Sequence, residues 1–214
     1  MASINTIGWG AVEEYCSTLF LVAGVLMLVA ISIGVLRNTT GFSSPSWVHN
    51  FLGPLGVVCT AYGLLAFYPW VAEASPRLAR AGLVLATVAA AAISVAFLVA
   101  TGAAVLTDAT VTNPPDLVPP LYFTTIAALA LGFLVYGVAS LRTRVPSRAI
   151  GLTMLAPAVL LSALFVGENV FGLHVQLPRI VFVGTPVFLL FLGYTIRDGT
   201  TATDRAKSAV KSPA

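Results

Sequence analysis

The sequence predicts an all-α fold, a polytopic integral membrane bundle of six transmembrane helices. Of the 214 residues, 58% are hydrophobic and only 9% are charged, whereas a soluble domain carries roughly 25% charged residues. So few charges cannot cover a water-facing surface, which excludes a soluble globular protein, a disordered chain and a nucleic-acid binder. Six stretches contain no Asp, Glu, Lys, Arg or His, and they cover residues 17–36, 51–72, 81–106, 117–141, 149–167 and 180–196.

Each of these stretches predicts one membrane-spanning helix. Each is close to the roughly 20 residues that a helix needs to cross about 30 Å of hydrocarbon. A backbone in lipid must satisfy its own hydrogen bonds, so the alternatives are helices and a closed barrel. A barrel would show short segments of alternating polarity, and these stretches are continuously apolar. Residues 1–197 therefore form one six-helix domain, and the polar, basic residues 198–214 form a tail that we expect to be disordered.

Charged and histidine residues bound the spans in order along the chain. The pairs that flank the six spans are Glu14 and Arg37, His49 and Glu73, Arg80 and Asp108, Asp116 and Arg142, Arg148 and Glu168, and Arg179 and Arg197. Three of the spans contain a proline at which we expect a kink or a broken helix, namely Pro54, Pro157 and Pro186.

The distribution of basic residues predicts that both termini are cytoplasmic. With six spans, the termini lie on one side of the membrane, and basic residues favour the cytoplasmic side. That side receives Arg77, Arg80, Arg142, Arg144, Arg148, Arg197, Arg205, Lys207 and Lys211, whereas the other side receives only Arg37 and Arg179. The N-terminus has no basic region before the first span, so we interpret this span as an uncleaved anchor in the cell membrane.

The two halves of the chain suggest a 3+3 inverted repeat. Residues 52–58 resemble residues 155–161, and residues 76–82 resemble residues 178–184. The offsets are about half of the chain length. Because three spans separate the copies, they would run in opposite directions, as in the inverted repeats of many transporters. Apolar helices also resemble one another by composition alone, so chance similarity is the alternative.

The third span carries hydroxyl residues at seven-residue spacing, which places them on one helix face. These residues are Thr87, Ser94 and Thr101, beside the alanine run 89–92. One interpretation is a polar path lined by hydroxyls. The other is a tightly packed central helix, because small residues allow helices to approach closely in lipid.

Polar residues with potential chemistry lie near the outer face. His49 precedes the second span, Asp108 follows the third, and Glu168 and His174 lie at the end of the fifth. Histidine and carboxylate together are reasonable zinc ligands, and a histidine beside a carboxylate can act as a general base. The alternative is that they are interfacial polar residues, with Glu168 paired to Arg179 across a short turn.

Several classes of protein are excluded by missing residues or motifs. No lysine lies in any span, so the chain cannot form a retinal Schiff base. There is no nucleophile-elbow motif of an acyl hydrolase, and no phosphate-binding loop or dinucleotide fingerprint. The two cysteines, Cys16 and Cys59, form no redox pair, and we interpret them as inert thiols packed among apolar residues.

One stretch resembles a known family. Residues 46–57, which read SWVHNFLGPLGV, resemble the loop that enters the second span in domain-of-unknown-function family 998. That family consists of prokaryotic six-span membrane proteins without assigned chemistry. Its segment typically reads Ser-Asp-Leu-Gly, and this chain has Gly53-Pro54 in place of Ser-Asp, so any role of that acid is absent here.

The sequence therefore favours a non-enzymatic integral membrane protein. It would be a small permease-like carrier built from two inverted halves, or an accessory subunit. The alternative is a membrane-embedded enzyme with a metal or acid–base site at the outer face, formed by His49, Asp108, Glu168 and His174. The expected partners are the lipid bilayer and either further copies of the chain or a larger membrane complex, with no nucleic acid. The cofactor is unknown: retinal is excluded, and the candidates for which the residues provide ligands are a metal ion and a single haem ligated by His49 and His174.

Overall fold

The computed structural model describes the backbone of residues 9–41, 46–107, 115–170 and 177–210, and the side chains of residues 15–41, 51–103, 115–166, 181 and 183–198. Six α-helices occupy these ranges, and no strand occurs within them. The helices are α1 (Trp9–Thr40), α2 (Ser46–Ala72), α3 (Pro76–Thr107), α4 (Val118–Thr143), α5 (Arg148–Val170) and α6 (Leu177–Val210).

Five helices contain segments that are long and apolar enough to cross a membrane. These segments are Tyr15–Thr40, Phe51–Ala72, Pro76–Ala103, Val118–Thr143 and Arg148–Val166. The all-helical class and the membrane-compatible bundle are thus confirmed. The sixth span, residues 180–196, lies within α6 and stays a prediction. Pro54, Pro157 and Pro186 each lie inside an unbroken helix.

The helices extend beyond the predicted spans because local capping, and not the edge of the hydrocarbon, ends a helix. Arg144 adopts the left-handed conformation with φ 61° after α4, and its amide donates to the Ser140 carbonyl. This is the usual way to satisfy the last carbonyls of a helix. Ser147 then accepts a hydrogen bond from the Ile150 amide at 3.2 Å and caps the start of α5.

The longest extension is at the end of α6. This helix continues to Val210, so residues 198–210 are helical although the sequence predicts a disordered tail there. The segment contains three alanines and, in its second half, Arg205 and Lys207. Alanine has the highest helix propensity, and basic residues are favourable near a helix C-terminus.

The six helices form a closed ring in chain order. Each helix packs against the one before it and the one after it, α6 packs against α1, and α2 also touches α4 across the ring. Consecutive helices are antiparallel because their connections are short, as with residues 73–75 between α2 and α3. The ring therefore alternates in direction around its circumference.

This ring order argues against the 3+3 inverted repeat. Such a repeat would relate α1, α2 and α3 to α4, α5 and α6 by a two-fold axis in the membrane plane. Viewed along the bilayer normal, that rotation reverses the cyclic order of the helices. The repeat would pair α1 with α4, α2 with α5 and α3 with α6. In a ring in chain order, this exchange keeps the cyclic order of the helices instead of reversing it. A ring in chain order therefore does not favour this symmetry, and the repeat stays a prediction.

At three of the contacts between neighbouring helices, which we call seams, glycines allow the two backbones to come into direct contact. An ideal Cβ on Gly24 would lie 2.8 Å from the Pro186 carbonyl oxygen in the α1–α6 seam. In the α4–α5 seam, ideal Cβ atoms on Gly137 and Gly151 would each lie 3.1 Å from the carbonyl oxygen of the other glycine. Gly56 approaches the Ala23 carbonyl of α1 in the same way. Small residues at such positions are typical of helices that associate in lipid.

Aromatic rings fill the interior between α1, α2 and α4. Phe20 and Phe133 have ring centroids 6.2 Å apart, and Phe67 packs edge-on against Tyr136 at 5.5 Å. All four side chains are fully buried. Edge-to-face aromatic pairs are favourable beyond the area that they bury, so these rings hold the three helices in register.

The hydroxyl face of α3 does not form the centre of the bundle. The only close neighbours of α3 along the ring are α2 and α4, and Thr87 is exposed, whereas Ser94 and Thr101 are half-buried. Thr87 donates a hydrogen bond to the Leu83 carbonyl at 2.8 Å. Thr87 therefore faces outward and lines no interior path, whereas three alanines of the run 89–92 are buried, as close helix packing predicts.

Candidate functional site

The side chains of the predicted outer-face residues lie outside the described set. Asp108 and His174 lie outside the described residues. His49 lies in α2, Glu168 in α5 and Arg179 in α6, and their side chains also lie outside the described set. The convergence of the four candidate ligands and the Glu168–Arg179 ion pair therefore stay predictions.

The backbone nevertheless places three of these positions at one end of the bundle. His49 is in the first turn of α2, Glu168 is in the last turn of α5, and Arg179 is in the first turn of α6. Because the ring alternates in direction, these three helix ends lie on the same side. Helices α5 and α6 are neighbours, whereas α2 and α5 are not packed side by side. Glu168 and Arg179 are thus on adjacent helices, and His49 is further round the ring.

Charged side chains of the described residues lie away from the middle of the bundle. All of them are exposed, and all lie outside the six predicted spans. Among the residues whose side chains are described, no group of three or more His, Cys, Asp and Glu could hold a metal ion. The electrostatic character of the middle of the bundle is therefore set by hydroxyls and thiols.

A buried polar cluster lies between the helices at the Tyr136 level. The hydroxyl groups of Tyr136 and Ser140 are buried and have no hydrogen-bond partner within the described part of the chain. The Tyr136 ring packs so closely on α3 that an ideal Cβ on Gly82 would lie 2.6 Å from it. Cys16 lies in the same layer and donates to the Gly63 carbonyl, with Sγ 3.4 Å from the oxygen.

Three other buried hydroxyls of the described residues are satisfied within their own helices. Thr60, Thr125 and Thr153 each donate to the carbonyl four residues earlier, at 2.8 to 2.9 Å. This bond satisfies a hydroxyl within its own helix. The hydroxyls of Tyr136, Ser140 and Thr185 have no such bond in the described part of the chain, and a buried hydroxyl without a partner costs free energy.

A further unpartnered hydroxyl lies on the outer surface of the bundle. Tyr62 is 45% exposed and lies ten or eleven residues from either end of the apolar segment Phe51–Ala72. That is about 15 Å from each end, or half of the roughly 30 Å hydrocarbon thickness. Leu64, which is about 200° further round the helix, is fully buried and packs near Gly132 of α4. Tyr62 therefore points away from the interior.

An open apolar groove follows the outside of the α4–α5 seam. Its volume is about 350 Å³, and it is lined by Leu134, Ala158, Val159, Ser162, Ala163 and Val166. Apart from the Ser162 hydroxyl, the lining side chains are aliphatic. This surface is suited to the acyl chain of a bilayer lipid.

Sequence reasoning did not find the two unpartnered tyrosines. The signal was present for Tyr62, which lies thirteen residues after His49 and eleven before Glu73, whereas tyrosine is normally enriched near the charged ends of a span. Tyr136 lies only six residues before Arg142. A tyrosine in the middle of a span must bury its hydroxyl or find a partner for it. Its position alone does not tell which of these applies.

Comparison of the chain with protein-family models, with curated proteins and with solved structures finds no match. The resemblance of residues 46–57 to domain-of-unknown-function family 998 therefore stays a prediction.

Proposed function

We propose that the chain is a non-enzymatic integral membrane protein with six spans and cytoplasmic termini, and that it acts as an accessory subunit. The observation that carries this proposal is the closure of the ring by backbone-to-backbone contact at the α1–α6 seam. Gly193 brings α6 against the backbone of α1, and Gly24 of α1 meets the Pro186 carbonyl of α6. The last helix is thereby locked to the first, which favours a single packed arrangement.

The carrier version of the proposal loses its main support. It depended on two inverted halves that could rock against each other around a site at their interface, and the ring order in the chain argues against those halves. A static subunit needs neither the repeat nor a moving interface.

Distance measurements across the ring test the static role. Helices α3 and α6 lie three places apart in the ring, and both have exposed positions at matching ends. Spin labels at Leu98→Cys and Val183→Cys would report on one end, and labels at Val84→Cys and Tyr194→Cys on the other. The Cys59→Ala background and dilution with unlabelled protein would suppress other signals.

The accessory role predicts one narrow distance distribution for each pair in lipid vesicles. Alternating access predicts two populations that shift in opposite directions at the two ends. Two such populations would refute the static role and restore the carrier.

Labelling from outside the cell tests the orientation. Asp116 and Arg77 are both exposed. Asp116 precedes α4, and Arg77 lies in the first turn of α3, so the two residues are at opposite ends of the bundle. A membrane-impermeant maleimide is expected to label Asp116→Cys in intact cells and to label Arg77→Cys only after permeabilisation. The reverse pattern would invert the proposed orientation.

The second candidate function is an enzyme at the outer face. The observation that favours it is that His49 and Glu168 lie in helix turns at the same end of the bundle. Its test is the metal content of the purified protein, with His49→Ala and His174→Ala as variants.

A further inference from the structure

We infer that the α2–α3 surface pairs with a second copy of this chain, through hydrogen bonds between Tyr62 of each copy and Thr87 of the other. The inference rests on the proposed function, because it gives the accessory subunit a partner of defined chemistry. It starts from the lipid-facing hydroxyl of Tyr62, which has no hydrogen-bond partner in the described part of the chain.

The position of this hydroxyl distinguishes it from the other exposed tyrosines. Tyr194 lies three residues before Arg197, and Tyr15 directly follows Glu14, so both are close to charged positions where tyrosine is common. Tyr62 lies at the middle of its apolar segment. Acyl chains offer no acceptor at this depth, and a hydroxyl without a partner is unfavourable in a hydrocarbon.

Thr87 is an acceptor on the adjacent helix at the same depth. Phe51 of α2 contacts Phe97 of α3 with ring centroids 5.1 Å apart, which aligns the two antiparallel helices at that level. Tyr62 is eleven residues further along α2, and Thr87 is ten residues back along α3. At 1.5 Å per residue, their depths agree within about 2 Å.

The chemistry of the two hydroxyls is complementary. Thr87 already donates its proton to the Leu83 carbonyl, and its oxygen keeps lone pairs that can accept a bond. The Tyr62 phenol supplies a donor. Both residues are exposed on neighbouring helices, and Phe51, which lies on the same stripe of α2 as Tyr62, contacts α3 at the rim of this surface.

Symmetry selects a second copy as the partner. Copies inserted in one orientation can form a closed dimer only about an axis parallel to the bilayer normal. Such an axis preserves depth, and each contact occurs twice, with the two residues exchanged between copies. Tyr62 of one copy then meets Thr87 of the other, and both phenols are satisfied at once. Several exposed side chains of α3 along this surface are small or β-branched, namely Val84, Val88, Ala91 and Val95, which allows the helices to approach closely at the level of Thr87.

The test is the dimer dissociation constant of the full-length chain in vesicles. Purified protein carrying Cys59→Ala and a fluorophore at Asp116→Cys would be reconstituted into phosphatidylcholine–phosphatidylglycerol vesicles over a range of protein densities. Single-molecule photobleaching then counts the copies in each complex. Flotation of the vesicles first establishes insertion, so a failure of membrane placement is separated from a failure of dimerisation.

Tyr62→Phe and Thr87→Val each remove one hydroxyl and keep the size and shape of the side chain nearly unchanged. Each is expected to raise the dimer dissociation constant about fivefold to tenfold, because each removes both symmetric bonds and such bonds are modest in membranes. The double variant is expected to match the single variants, because the second change has no remaining bond to break.

Matched controls come from another face of the bundle. Tyr194 is an exposed tyrosine of α6, and Thr124 is an exposed threonine of α4 that donates to the Pro120 carbonyl. Tyr194→Phe and Thr124→Val are expected to leave the dissociation constant unchanged.

Three results would overturn the inference. A chain that is monomeric at every density has lipid or a different protein on this surface. A dimer that is insensitive to Tyr62→Phe uses another face. A double variant with the summed effect of both single changes shows that the two hydroxyls do not pair. Two distance populations across the ring would instead refute the accessory role and leave the dimer intact.

Discussion

Replacement of Gly193 by alanine is expected to destabilise the bundle, because α6 approaches α1 too closely for a side chain. An ideal Cβ on Gly193 would lie 2.7 Å from Leu21 Cγ, 2.8 Å from the Ser17 carbonyl oxygen and 2.9 Å from the Leu21 amide nitrogen. Two of these three atoms belong to the backbone and cannot rotate away. The α1–α6 seam must therefore widen by several tenths of an ångström.

The expected magnitude combines two opposing effects. Overpacking in a well-packed interior costs about 1–3 kcal/mol. Alanine is a better helix former than glycine by up to about 1 kcal/mol, which offsets part of that cost. We therefore expect the free energy of unfolding to fall by about 0.5–2 kcal/mol.

Two other glycines provide matched controls for the same substitution. No atom lies within 4 Å of the ideal Cβ at Gly102 of α3, so Gly102→Ala is expected to stabilise by about 0.5–1 kcal/mol. At Gly184 the nearest atom is Leu160 Cδ1 at 3.0 Å. This atom is the end of a flexible side chain, so a small effect is expected.

Reversible unfolding by sodium dodecyl sulfate in mixed micelles, followed by circular dichroism, measures the three variants side by side. The order of stability is expected to be Gly102→Ala first, Gly184→Ala next and Gly193→Ala last. A Gly193→Ala variant as stable as Gly102→Ala would refute the close approach of α6 to α1, and with it the support for a locked ring.

The remaining predictions concern the buried hydroxyl and the outer face. Tyr136→Phe removes a buried hydroxyl that has no described partner, so the free energy of unfolding is expected to stay constant or to rise by up to about 1 kcal/mol. If the free energy of unfolding instead fell by more than about 1 kcal/mol in the same micelle titration, the hydroxyl would have a partner such as a buried water. Elemental analysis of the detergent-purified protein is expected to find no stoichiometric metal. One metal ion per chain that is lost in both His49→Ala and His174→Ala would favour the outer-face enzyme.

The helical, membrane-compatible character of the fold could be predicted from the sequence because it depends on composition over long windows. A stretch such as residues 51–72 has no charge over the thickness of the hydrocarbon, and the structure places a helix there. The ends of the helices could not be predicted in this way. Charges mark the edge of the hydrocarbon, whereas α1 begins at Trp9 and α6 continues to Val210 because nothing in the local sequence stops the helix sooner.

The inward and outward faces could not be predicted because almost every face of these helices is apolar. In a soluble bundle, a polar face identifies the exterior, but in lipid the exterior is as apolar as the interior. Gly102 and Gly193 are both glycines in apolar segments, yet one meets open space and the other meets a neighbouring backbone. Tyr62 and Tyr136 are both tyrosines within apolar spans, yet one is 45% exposed and the other is fully buried.

The ring order connects these observations to function. In a ring closed in chain order, each helix is flanked by two neighbours and turns a further face toward lipid, so the outer surface is large. The side chains that line the interior are mainly aromatic and aliphatic, and three of the described interior hydroxyls are bonded within their own helices. A polar group in the middle of the outer surface is then the feature that apolar packing does not account for. Tyr62 is such a group, and because the bilayer offers it no acceptor, lateral association is where we expect this protein to act.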